Sequence, residues 1–241
     1  MNRGQLLYEG KAKSVYLSDT PDELIVAFRD DITAFDGQKK DSLAGKGGYN
    51  ARISAFFFTY LEEKGIPTHF MGMIDDHTMA VKRLNMIPLE VIVRNRAAGS
   101  IVRRYPFREG QTFDTPLIVM DYKDDSRHDP MINDDIIIAL GLLSRDEIQH
   151  VRDLALAVNR HLKELFRARG LDLVDFKIEF GRFGDTILLG DEISMDSMRL
   201  WDVKTGASLD KDVYRYDKGD VLSAYAKVVD MMIPKEFGGV Q

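Results

Sequence analysis

The sequence predicts an α+β protein in two lobes, made mostly of antiparallel strands with helices outside them. Three observations carry this reading. Short alternating segments separated by turn residues fill the first third, one long amphipathic helix is marked at both ends, and a strictly alternating strand, VDFKIEF, is followed at once by another strand.

In order along the chain, QLLYEG, KSVYLS and ELIVAFRD alternate like half-buried strands. A Gly-Lys turn and an Asp-Thr-Pro-Asp turn separate them, which predicts an antiparallel meander. Between Gly48 and Gly65, Ile53, Phe56, Phe57, Tyr60 and Leu61 recur at three- and four-residue spacing, so a helix is expected to end near Gly65-Ile-Pro67. Strands follow at HFMGMI, TMAVKRL and LEVIVRN. The proline in RLNMIPLE reads as a hinge, dividing a β-rich lobe over residues 1–86 from an α+β lobe over 87–241. The second part opens with LEVIVRN, a small-residue turn RAAGS and a short helix IVRRY. From about 145 to 169, Ser144 and Glu147 form a capping-box pattern, Ile148, Val151, Ala155, Val158, Leu162 and Leu165 keep helical spacing, and Gly170 stops the run. Strands LDLVDFKIEF and TILLGDEI then pair around GRFGD, and a C-terminal helix carries Leu222, Tyr225, Val228 and Val229.

Composition narrows the chemistry. The chain has 241 residues, 44% of them hydrophobic, enough for a sizeable core. A net charge of −6 argues against nucleic acid or an anionic membrane surface as a partner, so any anion site must be local. With no cysteine, thiolate catalysis, disulfides and Cys-ligated zinc are excluded, and a cytoplasmic setting fits. The five histidines have no metal-ligand spacing, the longest apolar run (IIIALGLL) is too short to span a bilayer, and the N-terminus carries no apolar signal run.

Several motifs can carry chemistry, each beside a plainer reading. In YEGKAKSVY, Lys11 and Lys13 flank a hairpin turn that can lie over a polyphosphate or simply be solvated. Lys82, on a strand with apolar neighbours, needs an anion, either a nucleotide phosphate or a structural carboxylate. In VIVRNRAAGS, Arg94, Arg96 and Ser100 suit a phosphate, whereas Arg103, Arg104 and Arg108 read as a solvated helix face. Alternation in VDFKIEF puts Val174, Phe176, Ile178 and Phe180 toward a core, with Asp175, Lys177 and Glu179 on the other face, which is either a wet surface or the floor of a ligand site. Glu179 and Asp191, on adjacent strands, can hold Mg²⁺ or pair with lysine; the hairpin register that decides their convergence is open at this level.

Taken together, LYEGKAKSVY, VIVRNRAAGS, LVDFKIEFG and GDEISMDSMRLWD resemble the phosphoribosylaminoimidazole-succinocarboxamide synthase (SAICAR synthetase) family, over nearly the whole chain and in the family's order. Met195 departs from the proline common after Glu-Ile-Ser. The resemblance implies a two-lobed SAICAR-synthase fold with an ATP-grasp-like nucleotide cleft. It implies a ligase that joins carboxyaminoimidazole ribonucleotide (CAIR) to L-aspartate with ATP and Mg²⁺, in a homodimer. By matching motifs, Lys11, Ala12, Lys13, Val15, Lys82, Met86 and Lys123 would meet ATP, and Glu179 and Asp191 would hold the metal. Arg94, Ser100 and Arg199 would bind the ribonucleotide phosphate, with Asp175, Lys177, Asp36 and Asp129 near the reacting groups. A small-molecule kinase using the same cleft and an RNA-binding module using the 94–108 arginines are the competing readings. The second lacks interleaved aromatics and overall basicity.

Overall fold

In the computed structural model, which describes residues 1–35, 37–235 and 237, the alternating N-terminal segments form one sheet. Strands β1 (Leu6–Glu9), β2 (Lys13–Leu17) and β3 (Glu23–Phe28) are the expected meander. β4 (Asp31–Ala34) and β5 (Lys39–Ser42) make a separate hairpin. After α1 (Lys46–Glu63), β6 (Phe70–Asp75) and β7 (Thr78–Lys82) complete the first sheet in the order β1-β2-β3-β7-β6.

The second sheet is built on β8 (Asn85–Arg96). After α2 (Ser100–Arg104) come β9 (Thr112–Tyr122), a 3₁₀ turn at Asp125–Arg127, α3 (Asp134–Ala139) and α4 (Arg145–Arg167). β10 (Leu171–Phe183), β11 (Thr186–Gly190) and β12 (Met198–Asp202) follow, then α5 (Asp212–Arg215) and α6 (Val221–Met232). The sheet order is β11-β10-β8-β9, with β12 also paired to β10, and every ladder between the strands named here is antiparallel.

One expectation is corrected. The proline-bearing stretch does not separate two strands, because β8 begins at Asn85 and runs through Pro88. The ladder with β10 skips there: Glu179 faces Glu90 but Gly181 faces Met86, so Ile87–Leu89 stand opposite the single residue Phe180 and form a bulge. A proline has no N–H for a ladder and is tolerated at such a bulge. The connection between the sheets is shorter than the sequence suggests, consisting of Arg83 and Leu84.

The capping box of α4 is formed as the sequence predicts. Ser144 Oγ accepts from the Glu147 amide, and the Glu147 carboxylate accepts from the Ser144 amide at 2.7 Å. The helix buries Ile148, Val151, Ala155, Val158 and Leu162 against β8 and β10. Helix α1 packs on β3, β6 and β7 of the first sheet and also on α4 and α6, with Phe57 edge-on to Phe166 at 5.3 Å between ring centroids. A single apolar core therefore runs beneath both sheets, and the two lobes do not have separate cores. Met195 is fully buried in that core. Among the described residues, no helix is long and apolar enough to cross a membrane.

Candidate active site

The β10 strand organises the site. Val174, Phe176, Ile178 and Phe180 are all at most 2% exposed on the core side, so the pleat forces Asp175, Lys177 and Glu179 to the opposite face. That face is not wet: Asp175 and Glu179 are buried, and only Lys177 is partly open. Burial of polar groups at this density requires partners, and β8 supplies them. Its own alternation sends Leu89, Val91 and Val93 inward and places Glu90 and Arg94 beside the charged residues of β10.

At one end lies a closed anion corner. Arg94 donates to Asp175 at 2.6 Å and to Ser100 Oγ at 3.0 Å, and Arg199 donates to both Asp175 oxygens at 3.0 and 2.9 Å. Arg199 also donates to Asp212 at 2.8 Å, and Arg215 joins Asp212 at 2.5 Å. Gly99 permits this packing, since its φ is +64° and a Cβ there would stand 2.3 Å from an Arg199 nitrogen. Burial pulls the Arg94 pKa down against the attraction of Asp175, and the Nε of Arg94 has no partner among the described residues. Three guanidinium groups thus share two carboxylates, leaving an excess of positive charge and a hydroxyl for an incoming anion.

Roughly 13 Å along the strand, taking four residues at ~3.3 Å each, Glu179 opens into a cavity of about 450 Å³ between the two sheets. Its apolar end is formed by Val15, Leu24, Val81, Leu84, Met86 and Ile87. The 84–86 connection lies directly on the β10–β11 hairpin because Gly181 and Gly190 carry no side chains; a Cβ on Gly181 would meet Leu84 Cβ at 2.8 Å. The charged end brings Lys13 to Asp191 at 2.5 Å and to Glu192 at 3.6 Å, Lys123 to Glu179 at 2.5 Å, and Lys177 to Glu90 at 2.6 Å and Glu179 at 3.1 Å. Burial opposes the charges of Lys13 and Lys177, but the surrounding carboxylates outweigh it and raise both pKa values. The same lysines hold Asp191 well below the usual carboxylate range in spite of its burial.

The ladder pairs Glu179 with Gly190, and Asp191 follows with φ of +59°, a left-handed turn that takes it out of β11 and into the cavity wall. Glu179 and Asp191 therefore share one cavity. Among the described residues no three acidic or histidine side chains are grouped to hold an ion. Two carboxylates on the cavity wall, Glu179 buried and Asp191 partly exposed, nevertheless fit Mg²⁺, which takes one or two protein carboxylates and completes its shell from phosphates and water.

Of the other residues singled out in the sequence, Lys11, Ala12, Lys82 and Asp129 also line the cavity. Lys11 pairs with Asp125 at 2.8 Å, and Asp129 accepts from the Asp124 amide at 2.8 Å. Asp36 lies outside the described residues. Arg96 does not join the anion corner and instead binds Asp172 at 2.6 Å. Arg103, Arg104 and Arg108 are exposed.

Sequence reasoning missed Glu90, His69, Asp196 and Lys211, all of which line the cavity. Alternation in LEVIVRN placed Glu90 on the face of Arg94 and could have revealed it. His69 is brought in by a single parallel bridge beside it, Thr68 to Leu189, for which no local signal exists. Its ring packs edge-on to Phe58 at 5.0 Å, its buried Nδ1 has no partner among the described residues, and burial lowers its pKa to about 3, so it is neutral at pH 7.

The family model for SAICAR synthetase matches residues 6–232. The chain belongs to the SAICAR synthetase family. The phosphoribosylaminoimidazole-succinocarboxamide synthase of Methanoregula boonei is 63% identical over 228 residues, covering 95% of this chain and 89% of that protein. The enzyme of that name from Methanoculleus marisnigri is 59% identical over 238 residues, 99% of each chain. A solved structure described as SAICAR synthetase (Type-2) in complex with ADP is 49% identical, with a TM-score of 0.91 over 93% of this chain and 96% of that one. The α+β fold is that of solved SAICAR synthetases.

Proposed function

We propose that the protein is an ATP-dependent ligase that joins the carboxylate of CAIR to the amino group of L-aspartate, giving SAICAR, ADP and phosphate. The observation that carries this reading is the single charged face of β10, which runs from the Arg94–Asp175–Arg199 corner to the cavity holding Lys13, Glu179 and Asp191. One end suits a ribonucleotide phosphate and the other a nucleoside triphosphate, with Lys177 between them.

In this reading Val15 and Met86 flank the adenine, Lys82 lies beside it, and Lys11, Lys13 and Lys123 meet the phosphates while Ala12 keeps the turn close to them. Glu179 and Asp191 would hold Mg²⁺, which when bound neutralises phosphate charge. A carboxylate is a poor acylating group. Its oxygen therefore takes the γ-phosphoryl group from ATP, breaking the bond to ADP, and the resulting acyl phosphate loses phosphate when the neutral aspartate amine attacks its carbonyl carbon. No enzyme nucleophile is needed, so the residues work by aligning mutually repelling anions and offsetting their charge. Lys177 is placed to face the carboxylate being activated, with Asp129 on the cavity wall.

The reading assigns residues 1–86 to a phosphate-covering lobe and 87–241 to the lobe with the metal and ribonucleotide sites, in a cytoplasmic homodimer that engages neither nucleic acid nor membrane. The test is ADP release from ATP and Mg²⁺ with CAIR, with and without L-aspartate. Aspartate-dependent release with SAICAR formed supports it; aspartate-independent release with a stable phosphorylated product makes the protein a kinase.

A further inference from the structure

Six lysines line the cavity, and their partners differ. Lys11, Lys13, Lys123 and Lys177 each have a carboxylate within 2.8 Å. Lys82 donates to the Thr68 carbonyl at 3.3 Å, near the apolar end. Lys211 is the exception: among the described residues its ammonium group makes no hydrogen bond and no ion pair, although the side chain is half-buried.

The fold holds Lys211 firmly in this position. Its amide donates to the Met195 carbonyl at 3.2 Å. The residue before it, Asp210, is fully buried and accepts from the Leu200 and Asp212 amides at 2.8 and 2.7 Å. The helix after it, α5, is tied to the β4–β5 hairpin: Tyr214 Oη donates to Asp41 at 2.8 Å, and Lys39 donates to the Tyr214 carbonyl at 2.7 Å and to Asp217 at 2.6 Å. The charged groups around the Lys211 ammonium are Asp196, Arg215, Lys46 and Glu192. The carboxylates among them are engaged elsewhere, Asp196 by Lys46, Asn50 and Tyr225, and Glu192 by Lys13 and Ser194. Burial pulls the Lys211 pKa down, as expected of an ammonium held without its own counter-ion.

A substrate inventory shows what is left for this cation. The proposed ligase reading, on which this inference rests, gives the ATP phosphates to Lys11, Lys13 and Lys123 and the ribonucleotide phosphate to Arg94, Ser100 and Arg199. The amino-diacid carries two carboxylates and has no cation assigned. We infer that Lys211 binds a carboxylate of the amino-diacid, which makes it the residue that selects an acidic amine over a neutral one. Its ammonium, without a partner among the described residues, is then a built donor that a substrate carboxylate completes.

The test uses Lys211→Met and Lys211→Arg in the full-length enzyme. Charge-assisted hydrogen bonds of this kind correspond to a change of about tenfold to a hundredfold. In Lys211→Met the KM for L-aspartate should rise at least about tenfold, while those for ATP and CAIR stay within about threefold; Lys211→Arg should recover part of the loss. A rise confined to the CAIR KM would overturn the inference by giving the ammonium to the CAIR carboxylate. A fall in kcat with the aspartate KM unchanged would also overturn it, by making Lys211 a base. A second readout needs no turnover: succinate, the same diacid without the amine, is titrated calorimetrically into the ADP-saturated protein. Wild type should bind it at least about tenfold more tightly than Lys211→Met, with ADP affinity equal in both; equal succinate affinities, or no binding to wild type, would refute the inference. A wild type that releases ADP without aspartate would defeat the ligase reading, and the succinate titration would then decide the role of Lys211 by itself.

Discussion

The two ends of the charged face of β10 are built differently. At the corner, Arg94 and Asp175 have side chains only 5% and 4% exposed and are paired with each other inside the protein. At the cavity, Lys13 and Asp191 are 13% and 23% exposed, and Lys123 is 43% exposed, so the same kinds of ion pair open onto about 450 Å³ of space. The difference follows from the neighbours. The corner is roofed by Gly99 and α2 and buttressed by Asp212, whereas the cavity lies between two sheets joined by only two residues. A closed, preorganised corner suits a group that is held but does not react, and an open cavity suits phosphates that must enter, react and leave.

The comparison can be broken at several points. Glu179→Gln and Asp191→Asn remove a charge from the cavity and keep its shape, so each should cost at least about a hundredfold in turnover, measured as ADP release. Near-normal rates in both would remove the cavity end from the chemistry.

The next effect is on stability and involves acid. His69 has a pKa of about 3 in the folded protein against 6.5 in the unfolded chain, so the unfolded state binds the proton first. The stability involved is fully present above pH 6.5 and is lost as pH falls toward 3, by about 1.4 kcal/mol per unit once below 6.5. Urea unfolding between pH 7 and 5 should show that slope reduced in His69→Gln; an unchanged slope would mean His69 is not held neutral.

The smallest effect belongs to a region remote from both ends. Ser144→Ala, which opens the α4 capping box, should lower stability by about 1 kcal/mol and leave every Michaelis constant unchanged. A change in those constants would show that the site is not insulated from the helix behind it.

The parts of this architecture that were legible in the sequence are those with a local signal. The alternation of VDFKIEF, the capping box at Ser144 and Glu147, and the turns of the first meander each fix a local geometry, and each element forms where that geometry puts it. Pro88 misled because a proline marks either the end of a strand or a bulge within one, and only the pairing of Gly181 with Met86 decides which. Asp191 was legible as a residue, but its left-handed turn out of β11 was not. His69, Asp196 and Lys211 are single polar residues brought to the cavity by strand order and loop path. For His69 and Asp196 the role depends on neighbours more than a hundred positions away, as with Lys46, which is fully buried and pairs with Asp196 at 2.7 Å.

The central claim is that β10 divides two anionic substrates between its ends, and Arg199→Gln tests it most directly. This variant should fold, because Asp175 keeps Arg94 and Asp212 keeps Arg215. The measurement is the pair of Michaelis constants for CAIR and ATP. The account predicts a rise of at least about tenfold for CAIR and a change of no more than about twofold for ATP; equal shifts in both, or a shift for ATP alone, would contradict it.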